Sequence, residues 1–206
     1  KSKNEHAIFF VITDNYSFAA ANMIMSLYKH SPKLMQNMDI IIYHTGISEK
    51  NVQLLNQLHK NILYMQVTYP ESWRSLVEHP RNALWGSIII AKLFGFFLIQ
   101  NYQKVLMLDV DMLITGDISE LFEIDEAMAW RRVVIWKATE LFKSILKNEN
   151  DFASGPNGGL ILFTDKLKKY GIVPEDIPSA FERVRDLAIE GSKRIDGGND
   201  ERLFSW

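Results

Sequence analysis

The stretch Lys104–Leu121, KVLMLDVDMLITGDISEL, decides how the whole chain is read. Its opening residues form a short apolar run bounded by polar ones, the pattern of a buried strand. The run ends on two carboxylates, Asp109 and Asp111. Side chains alternate along a strand, so both project together from the strand end while Val110 turns the other way. Two carboxylates crowded in this way repel unless a positive charge sits between them, and hard oxygen ligands suit Mn²⁺ or Mg²⁺. Asp-x-Asp also arises by chance as a turn or a helix cap, so the bare pattern is weak. Position strengthens it, because open α/β sheets bind ligands outside the carboxyl ends of their strands. The following Asp117-Ile118-Ser119-Glu120 reads as a capping box opening a short helix, which makes Asp117 structural.

Outward from this block, strands and helices alternate. Ala7–Thr13 is a continuous apolar run, expected as a fully buried first strand, with Asp14-Asn15 as its exit turn. Tyr16–Lys29 carries Ala20, Met23, Ile24 and Leu27 at helical spacing until Ser31-Pro32 stops it. Asp39–Tyr43 is a second strand. Ser48 is an N-cap for a helix through Leu58, and Ile62–Val67 is a third strand. Ala83–Ile99 reads as a buried helix, with Lys92 either snorkelling to water or aimed at a ligand. Val133–Trp136 and Gly159–Phe163 are further strands, and Ile177–Ile189 an amphipathic helix. Such alternation is the signature of βαβ units around a mostly parallel sheet.

Composition narrows the function classes. The 206 residues suit one domain, 47% hydrophobic and 23% charged, with a net charge of −2. That balance argues against a nucleic-acid partner bound through a broad basic surface. There are no cysteines, which excludes disulfides, thiol catalysis and zinc–thiolate sites and fits a reducing compartment. Lys1–His6 runs into a core-type strand without a secretory cleavage pattern, and Ala83–Ile99 falls short of a bilayer span. The expected location is the cytoplasm, with peripheral association at a membrane left open. His6, His30, His44, His59 and His79 are expected at the surface or in turns rather than as ligands. The abrupt end at Trp206 suggests that a C-terminal segment is missing.

Several motifs in fixed order resemble a known family. They are FFVITDNYSFAAANMIMSLYKHSP, IIYHTGIS, IIIAKLF, YQKVLMLDVDMLITGDISELF, PNGGLILF and NDERLFSW. Together they resemble the retaining glycosyltransferases of family 8, which includes glycogenin, galactinol synthase and bacterial lipopolysaccharide α-galactosyltransferases. The resemblance implies a single GT-A domain over residues 1–206, Rossmann-like, with helices flanking its sheet. It also implies a UDP-sugar donor and a glycan, lipid-linked or protein acceptor, with Mn²⁺ (or Mg²⁺) bridging Asp109 and Asp111 to the donor diphosphate. Thr13, Asp14, Asn15 and Tyr16 would line the nucleotide pocket, with Tyr16 stacking on uracil. On the residues alone the same stretch is a loop with an Asx-turn whose tyrosine packs on the next helix.

Lys92 stands where relatives usually carry arginine, keeping the charge but losing the bidentate fork. Asn157-Gly158-Gly159 matches the family's Asn-Ala-Gly turn ahead of a strand and is equally an ordinary Pro-Asn-Gly turn. Val110 lies between the metal carboxylates in the donor-binding motif. Asp200-Glu201 matches a family Asp-Gln pair, which implies a carboxylate beside the anomeric carbon, acting as nucleophile or as stabiliser of an oxocarbenium-like centre. The family's C-terminal histidine-containing element has no counterpart in these residues. Two other readings stand beside this one. A haloacid-dehalogenase-type phosphatase also uses Asp-x-Asp, but Leu113 occupies a position that is normally Thr or Val. A non-catalytic nucleotide-sugar-binding protein would keep the fold without turnover.

Overall fold

Four apolar runs in the first half of the chain become the parallel strands of one sheet. The computed structural model describes residues 4–78, 87–134 and 154–170, together with Pro174 and Ile177. The parallel strands are β1 (His6–Ile12), β2 (Met38–His44), β3 (Ile62–Gln66) and β4 (Lys104–Leu108). Two later strands, β5 (Met128–Val134) and β6 (Ser154–Thr164), complete the order β3-β2-β1-β4-β6-β5. β1 pairs with β2 at Phe9↔Ile41 and with β4 at Phe9↔Met107. β6 runs antiparallel to β4 and β5. The sheet is therefore mixed, parallel from β3 to β4 and antiparallel beyond.

Both faces are covered. Along β1, Ala7 and Phe9 enter one apolar cluster while Ile8, Phe10 and Ile12 enter the other. The second face packs against α1 (Ser17–His30), α2 (Pro32–Met35) and α3 (Glu49–Asn56). The first packs against Trp73, just ahead of α4 (Arg74–Val77), and against the segment leading into α5 (Gly95–Leu98). Burial on both faces is why β1, β2 and β4 read as apolar runs, whereas β3, at the sheet edge, leaves Leu63 and Met65 exposed. Each fully buried side chain of this kind contributes about 1.5–3 kcal/mol, so the sheet core outweighs any single polar contact.

Several elements differ from the sequence reading. The expected helix Ala83–Ile99 is a 3-10 helix over Ser87–Phe94 followed by the short α5, residues 83–86 lying outside the described part. Ile88-Ile89-Ile90 is β-branched, which disfavours α-helical packing of side chains against the preceding turn. Gly95 has a packing reason, because a Cβ there would strike the ring of Phe163 on β6. The residues expected as a capping box lead into a 3-10 helix, Ser119–Glu123, whose N-cap is Ile118 with no side-chain cap bond. Asp117 Oδ1 accepts from the Ser119 hydroxyl (2.7 Å) and from the Ser119 amide (3.0 Å), which holds its carboxyl below the usual range. Asp117 is thus a local turn former, as its structural reading required.

The strand expected at Val133 begins at Met128, and the one expected at Gly159 begins at Ser154. Of the expected helix Ile177–Ile189 only Ile177 is described, and it is buried. Asp39, 5% exposed, accepts from Asn4 Nδ2 and from the Tyr102 hydroxyl near the amino end of β2.

His59 corrects the expectation of surface histidines, being 3% exposed. Its Nε2 donates to the Met38 carbonyl (3.1 Å), so its Nδ1 accepts from the Tyr28 hydroxyl (2.6 Å). Burial pushes the His59 pKa below its ordinary 6.5, against the smaller raising effect of the Met38 hydrogen bond. The unfolded chain then binds the proton more readily. Stability from neutral His59 is fully present above pH 6.5 and is lost as pH falls through the lower folded pKa. Urea unfolding from pH 7.5 to about 5 should show this loss, and His59→Gln should remove that part of the slope. Gly95→Ala should cost about 1–3 kcal/mol in the same assay, the usual range for overpacking.

Candidate active site

β1 and β4 leave the sheet at the same edge, since their parallel pairing holds from His6↔Lys104 to Phe9↔Met107. The chain moves outward from β1 to β2 and β3, then returns to β4 on the other side of β1. Strand order reverses there, and crevices at such reversals take ligands in open α/β sheets.

Thr13 leaves β1 extended, and its carbonyl accepts from the Tyr16 amide (3.0 Å) to close one 3-10 turn over Asp14–Tyr16. Asp14 Oδ1 accepts from the Ser48 amide and from Asn51 Nδ2, both at 2.8 Å. These bonds, the Ser48 amide foremost, pull the Asp14 carboxyl below its usual range. Ser48 is the N-cap of α3, its hydroxyl accepting from the Asn51 amide at 3.4 Å. Asp14 therefore ties the exit of β1 to the start of α3. The sequence reading found the Ser48 cap but missed this bridge; the available signal was Asn51, three residues into the helix with a side chain able to reach back. Asn15 is exposed, and Tyr16 is 51% exposed rather than packed on the next helix. Ser17 Oγ and His44 Nδ1 are buried near this edge without partners among the described residues. His6 Nδ1 is equally unpartnered at the amino end of β1, so such atoms do not by themselves mark the site.

On the β4 side, Lys92 is turned toward Asp109 and β6. Its Nζ lies 2.9 Å from Asp109 Oδ1 and 3.1 Å from Oδ2, and it donates to the Gly158 carbonyl at 3.2 Å. The side chain is only 12% exposed, against 33% for Asp109, so it does not snorkel to water. Exposed ion pairs contribute about 0–1 kcal/mol. A pair shielded to this degree matters more through the carboxylate it would leave unmatched if broken.

The Asp109 amide donates to the Gly159 carbonyl (2.8 Å), so β6 meets the end of β4 through backbone as well. Asn157-Gly158-Gly159 is not a turn ahead of a strand but lies within β6. There Trp130 pairs with Ile161 while the next residue, Arg131, pairs with Asn157, leaving Gly158–Leu160 to bulge. Glycines suit such a bulge and the close approach of Lys92.

Strand alternation persists two residues past β4. Val110 turns into the cluster beneath α1, 8% exposed, as expected. Asp111 lies in the turn beyond, exposed, with no hydrogen bond or ion pair among the described residues. One carboxylate of the motif is thus held and the other is open. Asp200 and Glu201 lie outside the described residues, as does the side chain of Asn157.

Among the described residues no three carboxylate or histidine side chains gather as a metal cage. The donor set still fits a hard divalent cation of the Mg²⁺ type. Such ions keep several waters and are commonly held by one or two carboxylates plus substrate phosphates. Asp109 and Asp111 are the residues that would hold it.

The family model described as glycosyl transferase family 8 matches residues 7–169. No curated protein matches the sequence significantly. Among solved structures, the chain is similar to the galactosyltransferase LgtC in complex with donor and acceptor sugar analogues. The TM-score is 0.69 at 19% identity, covering 96% of this chain and 69% of that one. Mouse xyloside xylosyltransferase 1 gives 0.68 at 13% identity, over 98% of this chain and 80% of that one. Core-mannan synthase A from Aspergillus fumigatus, in an Mn/GDP form, gives 0.62 at 10% identity, over 100% and 69%. At these identities the likeness establishes the fold, which is that of the GT-A glycosyltransferases.

Asp14→Ala should speed hydrogen exchange at the Ser48 amide, which loses its acceptor, while core amides of β1 keep their protection. Unchanged exchange at Ser48 would show that the bridge does not hold the start of α3.

Proposed function

The chain belongs to glycosyl transferase family 8, and on that premise we propose that it is a retaining, metal-dependent hexosyltransferase using a UDP-sugar donor. Family and fold support glycosyl transfer as its activity. The observation that carries the finer reading is the pair Asp109 and Asp111 at the carboxyl end of β4, set where strand order reverses. A divalent cation bound by these two residues would supply Lewis-acid stabilisation of the charge that builds on the leaving diphosphate.

The chain's own groups divide the remaining work. Lys92 adds a fixed positive charge beside Asp109. The Thr13–Tyr16 turn, anchored through Asp14 to Ser48 and Asn51, offers the half-exposed Tyr16 ring for stacking on the base. Gly158 and Gly159 let the sugar approach backbone that side chains would block, and Asn157 hydrogen-bonds a hydroxyl. By family membership Asp200 or Glu201 would serve as nucleophile or as electrostatic stabiliser of the anomeric carbon. The acceptor is a glycan, a lipid-linked sugar or a protein. Among the described residues no helix is long and apolar enough to cross a membrane. Non-catalytic nucleotide-sugar binding is the second reading, favoured by the neutralisation of Asp109 by Lys92.

Turnover separates the two. Nucleoside diphosphate release should be measured over a panel of UDP- and GDP-sugars, with Mn²⁺ and with EDTA. One donor should be hydrolysed slowly in a metal-dependent way, and Asp109→Asn with Asp111→Asn should lower that rate by roughly 10²–10³. Metal-independent binding without release would move the non-catalytic reading ahead.

A further inference from the structure

The two carboxylates of the motif are not equivalent. Asp109 is one-third exposed, held by Lys92 through both oxygens and by Gly159 through its amide. Asp111 is exposed, with no partner among the described residues. The Lys92 ammonium already provides a positive charge for one of the two neighbouring carboxylates, Asp109. It touches both the Asp109 carboxylate and the Gly158 carbonyl, and a compact point charge on a flexible stem can exchange oxygen partners without a large rearrangement.

We propose that Lys92 is a positioning residue that serves as a resident counter-charge for Asp109. It competes with the divalent cation for that carboxylate and leaves Asp111 to make the first contact with the metal. Lys92 is then free to turn to the donor's diphosphate once the cation has taken Asp109. The inference rests on the metal-dependent reading above.

The test is Mn²⁺ affinity without nucleotide, read by electron paramagnetic resonance of free Mn²⁺. UDP affinity in saturating Mn²⁺ is measured alongside by calorimetry. Lys92→Met removes the competitor, and Mn²⁺ alone should bind about tenfold more tightly, the low end of what one adjacent charge does to an ionic equilibrium. In the same variant UDP should bind more weakly. Lys92→Arg grips Asp109 with a bidentate fork, so Mn²⁺ should bind more weakly than to the wild type. Affinity for Mn²⁺ alone therefore falls in the order Met, Lys, Arg.

A lysine that is only a structural staple reverses this pattern, with Arg near wild type and Met weaker, and that result overturns the proposal. Lys92→Gln, checked by circular dichroism, replaces Lys92→Met if the latter does not fold. Asp111→Asn separates the two levels of argument. If the wild type binds no Mn²⁺ with or without UDP, or binds it equally well without Asp111, the metal reading fails and this inference with it. If binding depends on Asp111 but Lys92→Met does not tighten it, only the inference fails.

Discussion

Parallel strands cannot be joined by tight turns, so every connection must travel back across a face of the sheet. That constraint decides where this protein keeps its chemistry. The crossovers from β1 to β2 and from β2 to β3 lie on one face, in the cluster with α1 and α3. The return to β4 lies on the other, where the segment Ser87–Leu98 packs with Trp73. Two crossovers on opposite faces diverge between β1 and β4 and open a crevice at their carboxyl ends. Lys92 belongs to the returning crossover, and Asp14 to the departing one. Each charged group reaches the crevice because its crossover must pass beside it.

What the sequence disclosed follows the strength of its physical signal. The inner parallel strands were legible because burial on both faces demands apolar runs, and β4 is found where KVLML placed it. The placing of Asp109 at the carboxyl end of β4 was legible from its position after such a run. β6 was only half legible, because Ser154–Gly159 carries proline and glycine in place of strand formers, and its pairing there depends on β5. The 3-10 geometry of Ser87–Phe94 was hidden because a run as apolar as Ile88–Ala91 shows the same pattern in either helix. His59 was misjudged because neither the Tyr28 hydroxyl nor the Met38 carbonyl that satisfies it is near in sequence. At the site, the charge types were readable but not their pairing. Lys92 and Asp109 are 17 residues apart, and only the packing of the returning crossover brings them together.

The site is also asymmetric across the crevice. On the β1 side a carboxylate is committed to backbone and amide donors, fixing a turn. On the β4 side the carboxylates divide between a shielded ion pair and an open turn. Fixed groups give geometry at no reorganisation cost, whereas the open one stays hydrated and responsive.

Gly95 gives this arrangement a length scale. It lies three residues after Lys92, at the junction of the 3-10 helix and α5, where residues so spaced share a side. Its bare Cα lets the segment rest on the Phe163 ring, closer to β6 than any side chain permits. Gly95 faces Phe163 on β6 while Lys92 touches Gly158 on the same strand. One absent methyl group thus acts as a spacer of zero thickness, setting the stand-off from which the lysine must span to its carboxylate. The reach of a charged group is set here by a residue that carries no side chain.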